Sequence, residues 1–219
     1  MGKKWIVRKN QQGFTLVNVA GLIVSAGLAM GVAVQAPAIV ENVQFSNFYD
    51  DLKNIENQVW NHRDRVGRWP GDCDKDGVIG FIPVPGVEVP NKPGTIVSDK
   101  IMNEGACTGK VVAETVDAPF SDIRAAGLVD KDIPNSILAK HTQGSYFQIG
   151  HTTYANGPVN VIVAYGVPSD VAQMIDTEID GSANGEAGRV RRWDSQDSDA
   201  LWTSKSETVA LAYYFDKTI

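Results

Sequence analysis

Asp72-Cys73-Asp74-Lys75-Asp76-Gly77 sets three carboxylates at alternating positions ahead of a glycine, and Ile79 follows two residues later. That spacing lets a short loop wrap oxygen ligands around calcium, the glycine making the sharp turn and the isoleucine anchoring the loop to a core. The glutamate that would close an EF-hand is missing. Its position is Pro83, so further ligands would come from elsewhere. Asp180, Ser182, Asn184 and Gly185 form a weaker set of the same kind. For both sets the competing reading is a polar turn whose Asp and Asn side chains bond to their own backbone. Calcium is the cofactor these patterns suggest.

Other chemistry finds little support. Two cysteines and three scattered histidines lack the spacing of zinc ligands. His62 lies beside Asn61 and Arg63 in a helical stretch, while His141 and His151 fall near a strand signal. None of the three sits in a nucleophile or metal motif, so solvated or partly buried histidines are expected and an enzyme is not. Trp193, Trp202, Tyr213 and Tyr214 are of a type that lines grooves, but sheet core is their commoner use.

The elements that must position these residues begin with one long helix. Lys3, Lys4, Arg8 and Lys9 precede Gly13, and residues 14–40 are then apolar for about the length that crosses a bilayer. Val43, Phe48, Leu52, Ile55 and Val59 recur at steps of three to five, as on the buried stripe of an amphipathic helix. Gly67, Pro70 and Gly71 should end that helix. A proline- and glycine-rich loop is expected over 82–94, and a short helix over 119–128. Residues 146–154 and 159–165 are rich in β-branched and aromatic types and flank Asn156-Gly157, which predicts a hairpin. Ser169 or Asp170 should cap a helix running through Ile175, and Val209, Leu211, Tyr213 and Phe215 alternate as in a final strand. The expected class is α+β, a long helix on an antiparallel sheet.

A secretory signal peptide ending near Ala36 is the plain alternative for the first segment. Against it stand the length of the apolar run, Pro37 at the required cleavage point, and a pattern that continues beyond it. The formal charge of -6 includes the four early cations. Their removal would leave a still more acidic chain, which disfavours a nucleic-acid partner. Arg189, Arg191 and Arg192 are the one modest basic cluster, expected on a solvated strand edge.

Gly13-Phe14-Thr15-Leu16-Val17, the apolar helix and its amphipathic continuation together resemble type IV pilins and the pseudopilins of type II secretion. Weaker similarities are Trp69-Pro70-Gly71-Asp72, 125–129, 175–181 and 188–191. The resemblance implies a pilin-like fold, with a leader over 1–13, a transmembrane and amphipathic helix over 14–66, and a globular head over 67–219. It implies cleavage by a prepilin peptidase after Gly13 and methylation of the new amino terminus at Phe14. Other pilin subunits, the inner membrane and a pilus or secretion assembly platform are the implied partners. The head would then lie outside the cytoplasm, on a surface pilus or a periplasmic filament.

Asn18 departs from the family, which usually carries glutamate there to pair with a neighbouring subunit's terminal ammonium. A neutral amide can bond to that ammonium without neutralising it, which fits a minor, initiating or tip subunit. The alternative is a tolerated variant of a major pilin. In a chain whose head is exported, the pair Cys73 and Cys107 predicts a disulfide around a loop with little regular structure, against two separate thiols. Two further functions stay open at this point, a secretion pseudopilin and a secreted calcium-binding adhesin.

Overall fold

The computed structural model describes residues 16–80, 107, 118–154, 157–193, 202 and 207–216, with side chains from residue 40 onward except at 153 and 154. Its elements are α1 (Leu16–Val66), α2 (Ala118–Ala125), α3 (Asn135–Leu138), β1 (Phe147–Tyr154), β2 (Gly157–Pro168), α4 (Ser169–Asp180), β3 (Val190–Arg192) and β4 (Thr208–Tyr214). The chain divides into two units, Met1–Val40 and Glu41–Ile219. Among the described residues no helix is long and apolar enough to cross a membrane. The run over 14–40, expected to do so, lies almost wholly outside the residues whose side chains are described.

In the second unit the described strands form one antiparallel sheet in the order β1-β2-β4-β3. The fold class is α+β. Alternation along β2 sends Ile162 and Ala164 to one face and Val161 and Val163 to the other, because successive side chains of a strand point oppositely. Phe48, Leu52, Ile55 and Val59 of α1 join the first face, in one core with Phe147, Ile149, Leu211 and Tyr213. Phe48 packs on Phe147 with ring centroids 5.9 Å apart. Leu52 is fully buried, so truncating it to alanine would cost about 2–5 kcal/mol. The second face packs Trp193, Ala210, Ala212 and Tyr214 around the valines of β2. Trp193, Tyr213 and Tyr214 are therefore core residues, and Trp202 is partly buried against the first cluster.

Several boundaries differ from expectation. Val43 belongs to the predicted stripe by spacing, yet it is 53% exposed, and the buried face begins nearer Phe48. β2 runs to Pro168 across an irregularity between Ala164 and Val167, where Gly166 takes a positive φ. A side chain at Gly166 would come within 3.0 Å of Ser145. α4 continues to Asp180 because Ile175 and Ile179 extend its inward face, and Gly181 ends it with φ 81°. The residue at its N-cap is Pro168, with no side-chain cap, in place of Ser169 or Asp170. Asn156 of the predicted turn and the loop over 82–94 lie outside the described residues.

Candidate functional site

Gly13 and Phe14 lie outside the described residues, and Asn18 lies in α1 with only its backbone described. The processing and assembly positions are therefore expectations from sequence. What the structure does build is the loop that leaves α1.

α1 stops at Val66, where Gly67 takes φ 81° and its N–H reaches the Arg63 carbonyl at 2.8 Å. Trp69 then turns back into the core between Trp60 and Phe215, with the Arg63 guanidinium 4.2 Å from its ring centroid. Asp122 of α2 fixes the next turn. Its Oδ2 accepts from Arg68 Nη1 at 2.5 Å and from Gly71 N–H at 2.8 Å, and its Oδ1 accepts from Cys107 N–H at 2.8 Å. Gly71 has φ 81°, and a Cβ there would meet Pro119 at 2.8 Å. Cys73 and Cys107 are joined in a disulfide with Cα atoms 5.1 Å apart, the pairing expected from the sequence. Closing a loop of 34 residues contributes about 4 kcal/mol in the chain-entropy picture.

Within this frame Asp72, Asp74 and Asp76 each offer an oxygen, and these oxygens lie within 4.8 Å of one another. Asp74 Oδ1 accepts from Asp76 N–H at 3.3 Å, and Asp76 Oδ1 accepts from Val78 N–H at 2.8 Å. Asp72 Oδ2 accepts from Gly77 N–H at 3.2 Å, while its Oδ1 is buried without a hydrogen-bond partner. Burial, first of all, pushes the Asp72 carboxyl above its usual range. The far end of the loop is pinned to the sheet. Ile79 is fully buried and donates its N–H to Asn160 Oδ1 at 2.9 Å, and Asn160 Nδ2 donates to the Gly77 carbonyl at 3.2 Å.

The second predicted loop is arranged differently. Asp180 Oδ2 accepts from Val190 N–H at 2.8 Å, Asn184 Oδ1 accepts from Glu186 N–H at 3.1 Å, and Ser182 is exposed. The buried acid here is Asp176, one turn before Asp180 on α4, and the sequence reading did not single it out. Its Oδ2 accepts from Asn184 N–H at 2.6 Å and Trp202 Nε1 at 2.7 Å, and its Oδ1 has no partner. Burial, with the neighbouring Asp180 charge adding to it, pushes the Asp176 carboxyl up to about 6. The four-residue spacing of Asp176 and Asp180 was the available signal, since it stacks both on one helix face.

The histidines and arginines depart from the expectation in part. His62 and His141 are fully buried rather than solvated or partly buried, whereas His151 is partly buried, and Arg191 and Arg192 lie half-buried on the edge strand β3. His141 Nδ1 accepts from Gln143 N–H, so its Nε2–H donates to the Tyr165 carbonyl at 2.9 Å. Burial lowers this imidazole to about 4, which leaves it neutral at physiological pH. Arg189 is likewise engaged, donating to Tyr213 Oη at 2.9 Å and to the carbonyls of Tyr214 and Phe215. Tyr213 Oη in turn donates to Glu56 Oε1 at 2.9 Å, which ties α1 to β4. Val40 and Val43 are 54% and 53% exposed, and an open groove of about 400 Å³ lined by Phe45, Met174 and Glu41 opens on the same stretch of α1.

Comparison of the chain with models of protein families, with curated proteins and with solved structures finds no match.

Proposed function

We propose that this chain is a filament subunit of the type IV pilin kind, cleaved by a prepilin peptidase after Gly13 and methylated at Phe14. Its chemistry is assembly. The observation that carries the reading is the sequence Gly13-Phe14-Thr15-Leu16-Val17, which joins a basic leader to an apolar helix. It is supported by the use of Phe48, Leu52, Ile55 and Val59 of α1 as part of the head's own core. On this reading residues 14–40 serve first as a membrane anchor and then as the packing element of the filament. Small residues at Gly21, Ser25, Gly27, Ala29 and Gly31 permit close helix contact. Val40 and Val43 are exposed, and on this reading they are available for contact with neighbouring subunits.

Gly13→Trp tests this reading, because the peptidase requires a small residue on the leader side of the bond. The variant should accumulate in the membrane as full-length precursor. Mature protein of ordinary size from that variant would overturn the proposal.

A further inference from the structure

We propose that the loop over 72–78 binds one calcium ion through carboxylate oxygens of Asp72, Asp74 and Asp76 and the carbonyl of Val78. The polar-turn reading explains Asp74 and Asp76, whose oxygens take the amides two residues on. It does not explain Asp72. That side chain is 1% exposed, one oxygen already holds the Gly77 amide, and the other has no donor. A buried carboxylate oxygen left without a partner costs free energy that an ordinary turn does not demand.

A cation answers it, because oxygens of two further carboxylates converge within 4.8 Å and add negative charge where only Lys75 intervenes in the loop. The ligand set is all oxygen, which selects a hard cation. With Asp72 as the first position, Val78 is the seventh, where a backbone carbonyl serves in loops of this spacing. Lys75 and Gly77 both take positive φ, 65° and 91°, within the tight turn that brings the three aspartates together. Waters complete the 6–8 oxygens calcium takes, and a binding constant in the range of extracellular modules, about 10⁻⁴–10⁻³ M, follows from the absence of a bidentate glutamate. The site stands independently of the filament reading.

The test uses the full chain in detergent, stripped with a chelator and titrated with calcium chloride alone. Calorimetry should show one site per chain, and the melting temperature should rise by about 2–5 °C at about 10 mM calcium. Asp74 is exposed, so Asp74→Ala should melt like the parent in chelator yet lose both the binding heat and the shift. Asp76→Ala should repeat that result and guards against one variant misfolding. Absence of heat and shift at about 10 mM calcium overturns the proposal. So does an undiminished response in both variants, which places the ion elsewhere, or an equal shift with magnesium chloride, which reduces the effect to charge screening.

Discussion

The loop after α1 and the loop after α4 carry similar sequences and opposite designs. Each follows a helix, the first rich in Asp and Gly and the second in Gly, and each sits beside a buried aspartate with one unpartnered oxygen, Asp72 in the first and Asp176 in the second. Around Asp72 two more carboxylates converge. Around Asp176 the other oxygen takes a Trp202 indole N–H and an Asn184 amide, and Asp180 spends one oxygen on Val190 N–H. On the calcium proposal the first arrangement gathers negative charge for a cation, whereas in the second burial raises the Asp176 carboxyl and favours a proton. Alternating carboxylates are thus distinguished by what else the fold brings within reach, more than by the motif itself.

The largest effect should come from the frame that holds the first loop. Asp122→Ala removes the acceptor of a nearly buried guanidinium and of two amides, so a loss of about 3–5 kcal/mol is expected in urea unfolding. Asp180→Ala, which frees one amide of the second loop, should cost only about 1–2 kcal/mol. Equal losses would mean that the two loops are held alike.

Two glycines sharpen the contrast. Gly71 and Gly181 share φ 81°, but a Cβ at Gly71 strikes Pro119 whereas at Gly181 it meets open space. Gly181→Ala should cost about 1 kcal/mol for the left-handed backbone alone. Gly71→Ala should cost at least about 2–3 kcal/mol, the overlap adding to the same backbone strain. Thermal melts of the two variants make the comparison, and a Gly71→Ala loss no larger than the other would contradict the packing described.

The smallest effect is a change in pH dependence. Asp176 has a folded pKa raised to about 6, above its unfolded value of 3.8. Its contribution to stability is therefore full below about pH 4 and is lost as pH rises through 6. Asp176→Asn mimics the protonated acid and keeps the acceptor for Asn184 and Trp202. It should stabilise the head by about 1–2 kcal/mol at pH 7.5, with the gain vanishing toward pH 4. His141 acts in the opposite sense. Its folded pKa is lowered, so its contribution is full above 6.5 and is lost as pH falls toward 4. Asp176→Asn should leave that acid-side loss more visible in urea melts at pH 4.5, 6 and 7.5. A destabilised Asp176→Asn at pH 7.5 would show that the Asp176 carboxylate is held charged.

What was legible in the sequence follows the range of the forces involved. The α1 stripe from Phe48 to Val59, the β1–β2 hairpin and the end of α1 at Gly67 rest on local periodicity and turn chemistry, and the disulfide rests on an even cysteine count. β3 is three residues long and α3 four, too short to show a period, and their places are set by β4 and α2 rather than by their own composition. Asp122 was unreadable because its partner Arg68 lies 54 residues away. Asp176 carries no mark in the loop spacing, which points to Asp180, the residue nearer the glycine. Val43 fits the helical period and remains exposed, since periodicity gives a face and not where the sheet beneath it ends.

The claim that the chain is delivered to a filament through prepilin processing is tested most directly by mass spectrometry of its mature amino terminus, isolated from the native cell envelope. The account predicts a first residue of N-methylated Phe14, with residues 1–13 removed. A mature chain beginning near Pro37, or one retaining Met1, would contradict it.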